Sequence, residues 1–355
     1  MIVVIIAGGS GTRLWPLSTP DYPKHLLKLE GDESLLQNAY RRAKSVAETV
    51  YVITEVSHAD HVRKQLPTLT HQTLIIEPAR RGTANCVLAG LHRVEQYHSH
   101  DEPIAFIAAD HFVRDVDGFA QSFRIAAKAT QGYKRICLVG VEPTYPSTGF
   151  GYIQKADLVA DEDMVYNVAR FKEKPALDAA QEYVKSGHYL WNCSYFVGSH
   201  DTFEATIDEH SPFMKDNYEQ LNKAKDVDDF NKIYLSLKTD TIDFALSDHV
   251  DNFLVVPATF DWMDVGSFQD LYMTRENDAD KDGNAVQGGH VMLDGVQNSL
   301  VRNDEEKPLA VIGLDNVVVV NTPNGIVVAR KDLAPRVGDI AKKLQGKTEK
   351  PTTLE

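Results

Sequence analysis

The residues of this sequence best suited to chemistry form a glycine-rich segment near its amino terminus. The segment reads Gly8, Gly9, Ser10, Gly11, Thr12 and Arg13, and it follows a short apolar run. Backbone N–H groups in such a loop can approach an anion closely, and open α/β sheets bind ligands at the carboxyl ends of their strands. A phosphate-bearing ligand is therefore the first expectation.

Two cations accompany this loop, because Arg13 ends it and Lys24 follows Pro23 a short distance later. Arginine suits bidentate contact with phosphate oxygens, while lysine acts as a point charge. Pro16 disfavours a helical conformation at Trp15, so the segment is predicted to remain a loop over its ligand. From these residues alone, a tight turn with two solvated surface cations is an open alternative.

The sequence of this loop does not match either of two common phosphate-binding motifs. The dinucleotide fingerprint needs a third glycine where the sequence has Leu14. The Walker A motif needs Gly-Lys followed by Ser or Thr at its end, and that ending is absent. A nicotinamide-dependent oxidoreductase is therefore disfavoured.

Two aspartates distant in sequence are candidate metal ligands. Asp110 follows an apolar run directly, and Asp264 lies just before Gly266 and Ser267. Two carboxylates, with phosphate oxygens and waters, suit Mg²⁺, which prefers oxygen ligands and rarely uses an all-protein cage. An aspartate at a strand end is also a common helix cap, so the residues alone leave both interpretations open.

The elements that must position these residues alternate regularly in the first half of the chain. Ile2–Ala7 is continuously apolar and β-branched, which predicts a buried strand, and residues 50–54 and 104–109 predict further strands. Helices are predicted from near Thr83 and over 118–130. This alternation predicts an α/β fold with a Rossmann-like, doubly wound and mostly parallel sheet.

The second half is less regular. Residues 145–266 look like substrate-binding insertions, and residues 283–330 contain short strands with turn residues, including a hairpin-like pair at 317–320 and 326–329. A basic helix is predicted over 333–344, and the tail after Gly346 is predicted to be disordered. We place a boundary near Asp280, between a catalytic domain of residues 1–280 and a small β-rich domain of residues 281–355.

Composition excludes several classes of protein. The 355 residues include 51 acidic and 37 basic side chains, and the net charge of -14 argues against a nucleic-acid or anionic-membrane partner. The three cysteines are far apart, which supports neither a disulfide framework nor a cysteine-based zinc site. The apolar start is too short for a signal peptide, and no later stretch is long enough to span a membrane. The cytoplasm is the expected compartment.

The string from Gly8 to Ser18, with Pro23 and Lys24, resembles the signature of the sugar-phosphate nucleotidyltransferases. Further motifs resemble the bacterial mannose-1-phosphate guanylyltransferases (GDP-mannose pyrophosphorylases): Glu77-Pro78, Thr83-Ala84, Ala109-Asp110-His111, residues 171–175, Trp191-Asn192 and residues 261–267. The resemblance runs in order from residue 2 to about residue 345. It implies transfer of a guanylyl group from GTP to mannose 1-phosphate with Mg²⁺, and a homodimer. The added isomerase domain of longer relatives is not matched, so that second activity is not expected.

The resemblance also implies individual roles. Arg13 and Lys24 would be the catalytic cations over the triphosphate, and Asp110 and Asp264 would hold Mg²⁺. The nucleotide would be bound by Ala7, Gly8, Gly9, Gly11, Thr12, Glu77, Arg81, Thr83 and Ala84, with Glu77 accepting from the guanine edge. The sugar phosphate would be bound by Gly149, Glu173, Lys174 and Asn192.

The sequence departs from the family pattern at His25, Gly82, Asn85 and Ser194, where the family usually has Gln, Asn, Pro and Gly. These positions neighbour the base and sugar motifs, so another sugar 1-phosphate is an open alternative substrate. A non-catalytic, nucleotide-sugar-binding regulatory paralogue is a second alternative. All four phosphate and metal residues are present, which favours the enzyme.

Overall fold

The computed structural model describes residues 1–9, 11–160, 163–247 and 249–345. The chain packs into two compact units, each made of segments that are discontinuous in sequence. The large unit comprises Met1–Gly8, Leu36–Ala109 and Val113–Trp262, and the small unit comprises Gly9–Leu35, Asp110–Phe112 and the chain from Met263 onward. The domain boundary near Asp280 stays a prediction, and the tail predicted to be disordered lies outside the described residues.

Strands and short helices follow one another along the described chain. The strands are β1 (Ile2–Ala7), β2 (Thr49–Glu55), β3 (Leu74–Glu77), β4 (Pro103–Ala108), β5 (His111–Phe112), β6 (Cys137–Val141), β7 (Gly151–Ala160), β8 (Val165–Lys172), β9 (Tyr189–Ser199), β10 (Leu254–Pro257), β11 (Met263–Asp264), β12 (Ala285–Gly288), β13 (Val291–Asp294), β14 (Leu300–Asn303), β15 (Leu309–Ile312), β16 (Val317–Thr322) and β17 (Gly325–Arg330). The α-helices are α1 (Leu35–Lys44), α2 (Ala59–Gln65), α3 (Gly82–Val94), α4 (Val116–Tyr133), α5 (Leu177–Ser186), α6 (His200–His210), α7 (Pro212–Leu221), α8 (Val227–Ser236), α9 (Phe268–Thr274) and α10 (Val337–Gln345).

The large unit is built on a nine-stranded sheet with the order β3-β2-β1-β4-β9-β6-β10-β8-β7. The pairs β1–β2, β1–β4, β2–β3 and β6–β10 are parallel, whereas β9 is antiparallel to both β4 and β6. The predicted α/β fold class is confirmed. The sheet is mixed rather than mostly parallel, because β9, from the irregular middle of the chain, inserts between two strands of the other direction.

Several predicted elements of the large unit have the expected limits. Strand β1 spans Ile2–Ala7 as predicted, and its side chains are almost fully buried because the parallel part of the sheet is covered on both faces. Helix α3, predicted from near Thr83, begins at Gly82. Helix α4 starts after Asp115, whose carboxylate accepts a hydrogen bond from the Gly118 N–H and so caps the helix.

The small unit is rich in short strands, as predicted. Strands β12, β14 and β16 stack in parallel, as do β13 and β15, which is the arrangement of successive β-helix coils. The predicted hairpin is confirmed, since β16 and β17 pair antiparallel around Thr322 and Gly325. The predicted closing helix is a 3₁₀ segment, Lys331–Arg336, followed by α10, because Pro335 lacks the N–H that an α-helix needs. Across the described residues, no helix has the length and apolar character needed to cross a membrane.

Candidate active site

Gly11, in the glycine-rich segment, packs directly on the backbone of Lys24 within the small unit. Gly11 has a left-handed φ of 56°, and a Cβ at this position would lie 2.5 Å from the Lys24 backbone nitrogen. The Ser18 hydroxyl donates a hydrogen bond to the Gly11 carbonyl and holds the loop in this position. By contrast, nothing lies within 4 Å of where a Cβ would stand on Gly8 or Gly9. Position 11 therefore requires glycine, whereas Gly8 and Gly9 leave open space beside the backbone.

Lys24 lies between the two aspartates that the sequence singled out. Its Nζ is 3.1 Å from Asp110 Oδ2 and 2.5 Å from Asp264 Oδ1. Strands β5 and β11 bring the two carboxylates together, since Asp264 pairs with His111 in an antiparallel register. The Lys24 side chain is only 7% exposed, so this ion-paired group is shielded from solvent screening.

The charges of this cluster stabilise one another. Burial alone would lower the pKa of Lys24, but the charges of Asp110 and Asp264 outweigh it and raise that pKa. Burial opposes ionisation of Asp110, yet the nearby Lys24 charge, with smaller effects of His111 and His25, lowers its pKa well below its ordinary value. The pKa of Asp264 is lowered for the same main reason, attraction to Lys24 against the effect of burial. Both carboxylates are therefore ionised at neutral pH.

The two aspartates fit a site for a hard divalent cation. Both already direct a carboxylate oxygen at one positive centre, the Lys24 ammonium. Mg²⁺ prefers oxygen ligands and usually takes only one or two carboxylates, with phosphate oxygens and waters completing its shell. The two carboxylates converge on one point, and their role as Mg²⁺ ligands stays a prediction.

Arg13 lies in a 3₁₀ turn, Thr12–Leu14, and its side chain is exposed. A Cβ on Gly266 would lie 3.2 Å from the Arg13 guanidinium, and one on Gly338 would lie 3.0 Å from Arg13 Cγ. Two glycines thus leave space for this side chain beside the loop that carries Asp264. The predicted loop contains two short 3₁₀ turns, Thr12–Leu14 and Lys24–Leu26, and α1 begins only at Leu35.

Glu77, the predicted guanine acceptor, ends β3 in the large unit and is buried. Its Oε1 accepts hydrogen bonds from the Tyr234 hydroxyl and, at 3.1 Å, from the Cys86 thiol. Burial raises the pKa of Glu77, and these two donors partly offset that rise. One oxygen of Glu77 therefore serves the packing of α3 and α8, and its contact with a base stays a prediction.

The start of α3 is held against the chain segment that follows α8. The Thr83 hydroxyl accepts from the Ile242 N–H at 2.9 Å, and the Ala84 N–H donates to the Asp240 carbonyl at 3.3 Å. A Cβ on Gly82 would lie 1.9 Å from that carbonyl oxygen, so the larger residue of the family pattern does not fit here. The Arg81 guanidinium donates to the Leu235 carbonyl.

Asn85, another departure from the family pattern, joins the same elements. Its side-chain amide donates to the Arg81 carbonyl at 2.6 Å and to the Lys238 carbonyl at 2.8 Å. Its carbonyl oxygen accepts from the Asn217 amide at 2.8 Å. Asn85 and Gly82 are therefore both explained by the packing of α3 against the chain that follows α8.

The predicted sugar-phosphate residues converge in another part of the large unit. Asn192 on β9 pairs with Gly151 on β7, and a Cβ on Gly151 would lie 2.5 Å from Glu173 Oε2 and 3.3 Å from Asn192 Cβ. Glu173 forms an ion pair with Lys174. The Gly149 N–H donates to the Ser147 hydroxyl at 3.2 Å.

Asp243, which belongs to no sequence motif, is a half-buried acid in a short π-helical turn, Asp243–Ser247. Its Oδ1 accepts from the Asn192 amide at 2.8 Å, and both its oxygens lie 3.4 Å from the Ser194 hydroxyl. Burial, together with repulsion from Glu173, raises the pKa of Asp243 to about 6. The only sequence signal was an aspartate within the apolar run from Ile242 to Leu246.

Ser194 stands where the family usually has glycine. Its φ of 52° lies in the left-handed region that glycine adopts without strain. The Ser194 N–H donates to Asn192 Oδ1 at 3.0 Å, and its hydroxyl reaches Asp243. This serine therefore adopts a backbone conformation that suits glycine and adds a side-chain contact to the Asn192–Asp243 pair.

Comparisons with known proteins identify the family of this chain. The Nucleotidyl transferase family model matches residues 2–281, and the MannoseP isomerase/GMP-like beta-helix domain matches residues 288–344. The chain is 33% identical to the mannose-1-phosphate guanylyltransferase of Escherichia coli K12, over 96% of this chain and 73% of that protein. It is 32% identical to the alginate biosynthesis protein AlgA of Pseudomonas putida, over 100% of this chain and 74% of that protein.

A solved structure from Thermus thermophilus, described as a mannose-1-phosphate geranyltransferase, superimposes with a TM-score of 0.87 at 26% identity. The superposition covers 97% of this chain and 98% of that one. The family model spans well over half of the sequence, and relatives above 30% identity cover nearly all of it. This chain belongs to the nucleotidyl transferase family.

Proposed function

We propose that this protein transfers the guanylyl group of GTP to mannose 1-phosphate, yielding GDP-mannose and pyrophosphate. The observation that carries this proposal is the convergence of Lys24, Asp110 and Asp264 in a chain that aligns over 96% of its length with a mannose-1-phosphate guanylyltransferase. The reaction class rests on the site chemistry, and the identities of base and sugar rest on the relatives.

This reaction requires the protein to neutralise charge and to position the substrates, and it does not require a protein nucleophile. A phosphate oxygen of mannose 1-phosphate forms a bond to the α-phosphorus of GTP, and the bond from that phosphorus to the bridging oxygen breaks. The electron pair leaves with pyrophosphate. In the proposal, Arg13 and Lys24 neutralise the charge that develops on the phosphoryl group and on the departing pyrophosphate.

Asp110 and Asp264 are the proposed ligands of Mg²⁺. The bound ion would supply further neutralisation of the phosphate oxygens. The Lys24 ammonium is paired with both carboxylates. When a divalent cation binds the carboxylate oxygens, we expect these ion pairs to weaken. The Lys24 ammonium would then be available to bind phosphate.

Nucleotide and sugar recognition are proposed for three groups of residues. Ala7, Gly8, Gly9, Gly11 and Thr12 would provide backbone contacts to the nucleotide, and Glu77, Arg81, Thr83 and Ala84 would surround the guanine. Gly149, Glu173, Lys174 and Asn192 would bind the sugar phosphate, with Lys174 near the phosphate and the other side chains near hydroxyls. Asp243 would hold the Asn192 amide in the orientation that meets the sugar.

We also propose that the enzyme works in the cytoplasm as a homodimer. All three cysteines, Cys86, Cys137 and Cys193, are buried free thiols, which fits a reducing compartment. The dimer is implied by the family resemblance and by exposed apolar side chains on β17.

The test is pyrophosphate release with Mg²⁺ on a grid of GTP, ATP, UTP and dTTP against mannose, glucose and fucose 1-phosphates. Release confined to GTP with mannose 1-phosphate would support the proposal. Release with another pair would overturn the proposed specificity while keeping the reaction class. Absence of release on the whole grid would overturn the proposed reaction and favour a nucleotide-sugar-binding protein.

A further inference from the structure

A histidine-rich cluster in the large unit includes none of the residues assigned above. Glu95 follows the end of α3, His100 precedes β4, and His200 begins α6. One possible ligand atom of each of these three side chains lies within 4.8 Å of the other two. The cluster lies near the amino end of β4, because Pro103 pairs with Ser199, the residue before His200. Open α/β sheets bind substrates at the carboxyl ends of strands, so this position is not that of a substrate site.

The separations suit a small cation of the zinc class. Glu95 Oε2 and His200 Nε2 are 3.1 Å apart. Ligand atoms that bind zinc tetrahedrally at about 2.0–2.1 Å lie roughly 3.3 Å from each other. The His100 and His200 ring centroids are 4.3 Å apart. His100 is 51% exposed, so its ring has room to turn toward an ion and leaves a path for the ion to enter.

Neighbouring side chains hold these groups in place. The Tyr218 hydroxyl lies 3.1 Å from Glu95 Oε2 and 2.8 Å from His200 Nε2, and His92 Nδ1 lies 3.3 Å from Glu95 Oε1. Burial opposes ionisation of Glu95, but the hydrogen bonds from His200 and His92 outweigh it and lower its pKa to about 2. The carboxylate is therefore a charged, oriented ligand, supported as metal-binding carboxylates usually are.

His200 supplies an independent observation. Its side chain is 2% exposed, and within the part of the chain that the structure describes its Nδ1 has no hydrogen-bond partner. Because Nε2 is the nitrogen that faces Glu95, an ion would bind there, and Nδ1 is a second polar atom of this buried ring that the described residues leave unsatisfied. His200 also belongs to a second set of possible ligands, with Asp201 and Glu204 in the first turns of α6.

We infer that Glu95, His100 and His200 form a binding site for a zinc-class divalent metal ion, separate from the proposed catalytic centre. Two imidazoles and one carboxylate are a donor set typical of zinc, whereas Mg²⁺ and Ca²⁺ prefer oxygen ligands alone. The ion would join the end of α3, the start of α6 and the loop before β4. Its role is structural, since it ties together elements that meet far from the substrate edge of the sheet.

The test uses the full chain after removal of metals with a chelator. Co²⁺ is the probe, because its visible absorption reports tetrahedral nitrogen and oxygen ligands, and Zn²⁺ is then added as competitor. We expect one equivalent of Co²⁺ with tetrahedral bands that Zn²⁺ abolishes, and saturating Zn²⁺ should raise Tm by about 5 °C. His100→Ala should weaken Co²⁺ binding at least tenfold.

Two control variants make the outcome decisive. His98→Ala removes a nearby histidine outside the cluster, and Asp264→Asn alters the proposed magnesium site, so both should keep the Co²⁺ bands. Since His100 is exposed, His100→Ala should have the Tm of the wild-type protein when metal is absent, which separates ligand loss from misfolding. Absence of tetrahedral Co²⁺ bands in the wild-type protein, or equal binding by His100→Ala, would overturn the inference. Loss of the bands in Asp264→Asn would also overturn it, by assigning the bound ion to the catalytic centre.

Discussion

Lys24 is the residue on which the proposed chemistry depends most, because it is buried and shared by two ionised aspartates. We expect Lys24→Ala and Asp264→Asn each to lower kcat about 100-fold or more, since each removes a charge beside the transferring phosphoryl group. The measurement is pyrophosphate release at saturating GTP and mannose 1-phosphate. Lys28→Ala and Asp332→Asn, exposed residues of the same types, are the matched controls. Near-normal turnover in a correctly folded Lys24→Ala or Asp264→Asn variant would show that the site is wrongly assigned.

Substitution of Gly11 is a second test of the proposed catalytic centre, because it disturbs the backbone beside Lys24. In Gly11→Ala the new Cβ would lie 2.5 Å from the Lys24 nitrogen, so the loop or Lys24 must shift. We expect kcat to fall about tenfold or more, because small displacements of catalytic groups cost much of the rate. Gly31→Ala is a close control, since Gly31 also has a positive φ, 63°, but nothing lies within 4 Å of where its Cβ would stand. Equal loss of kcat in both variants would mean that backbone strain, rather than contact with Lys24, is responsible.

Asp243 predicts a pH dependence of sugar-phosphate binding. Its pKa is raised to about 6, so the carboxylate that accepts from Asn192 is lost as the pH falls through 6. We expect protonation of Asp243 to raise KM for mannose 1-phosphate about fourfold between pH 7.5 and 5.5, since most of the carboxylate is lost over this range. The phosphate of mannose 1-phosphate titrates in the same range. In Asp243→Asn only this substrate titration remains, so KM of the variant should change less with pH than KM of the wild-type protein. Identical profiles for the two proteins would contradict a role for Asp243.

Substitution of Asp243 should affect sugar-phosphate binding and folding stability differently. A carboxyl group whose pKa is raised in the folded state costs stability, and this cost grows from pH about 4 to 6 and persists above. Asp243→Asn removes the cost, so its Tm at pH 7.5 should equal or exceed that of the wild-type protein although its KM is higher. A lower Tm together with a higher KM would indicate a structural role instead.

At the level of elements, Tyr234 on α8 ties that helix to β3 and α3 through Glu77 and Cys86. Tyr234→Phe would leave a buried carboxylate with one donor fewer, which should lower the free energy of unfolding by about 1–3 kcal/mol. Burial raises the pKa of Glu77 and the Tyr234 hydroxyl opposes that rise by favouring the ionised form, so the loss should be larger at pH 8 than at pH 5. Urea denaturation at both pH values measures this, with Tyr97→Phe, an exposed tyrosine, as control. Equal losses at both pH values would show that Glu77 is not the affected group.

Some elements could be predicted from sequence because their signal is local. Strand β1 is apolar at every position since both of its faces are buried, and the β16–β17 hairpin is marked by turn residues at Thr322 to Gly325. The antiparallel insertion of β9 between β4 and β6 depends on contacts between distant segments, and no local pattern records them. Local patterns therefore predict a mostly parallel sheet, although the sheet is mixed.

The site was predictable to a similar degree. The motifs identified Lys24, Asp110 and Asp264, but not that one ammonium would pair with both carboxylates, since Lys24 and Asp264 are 240 positions apart. Asp243 carries no motif, because its position depends on a π-helical turn that places it against Asn192. Glu77 was predicted only as a base acceptor, because its partner Tyr234 is 157 positions away.

At the scale of the whole molecule, the proposed homodimer has a surface to test. Ile326 and Val328 lie on the same face of β17 and are 63% and 64% exposed. Apolar side chains grouped on a strand face often mark an interaction surface, since their contact with water is unfavourable. The chain has a mass of 39.6 kDa, so light scattering should report about twice that value.

We expect Ile326→Lys combined with Val328→Lys to convert the dimer to a monomer, because two buried charges facing their own copies would repel across a twofold interface. Leu177→Lys, which alters an exposed leucine on α5, is the control and should leave the mass unchanged. Val327 packs in the buried cluster that contains Leu14, whereas Ile326 and Val328 are exposed and lie outside that cluster, so kcat per chain should be kept in the monomer. A wild-type mass near 39.6 kDa would refute the dimer. A dimer that survives the double substitution would place its interface on another surface.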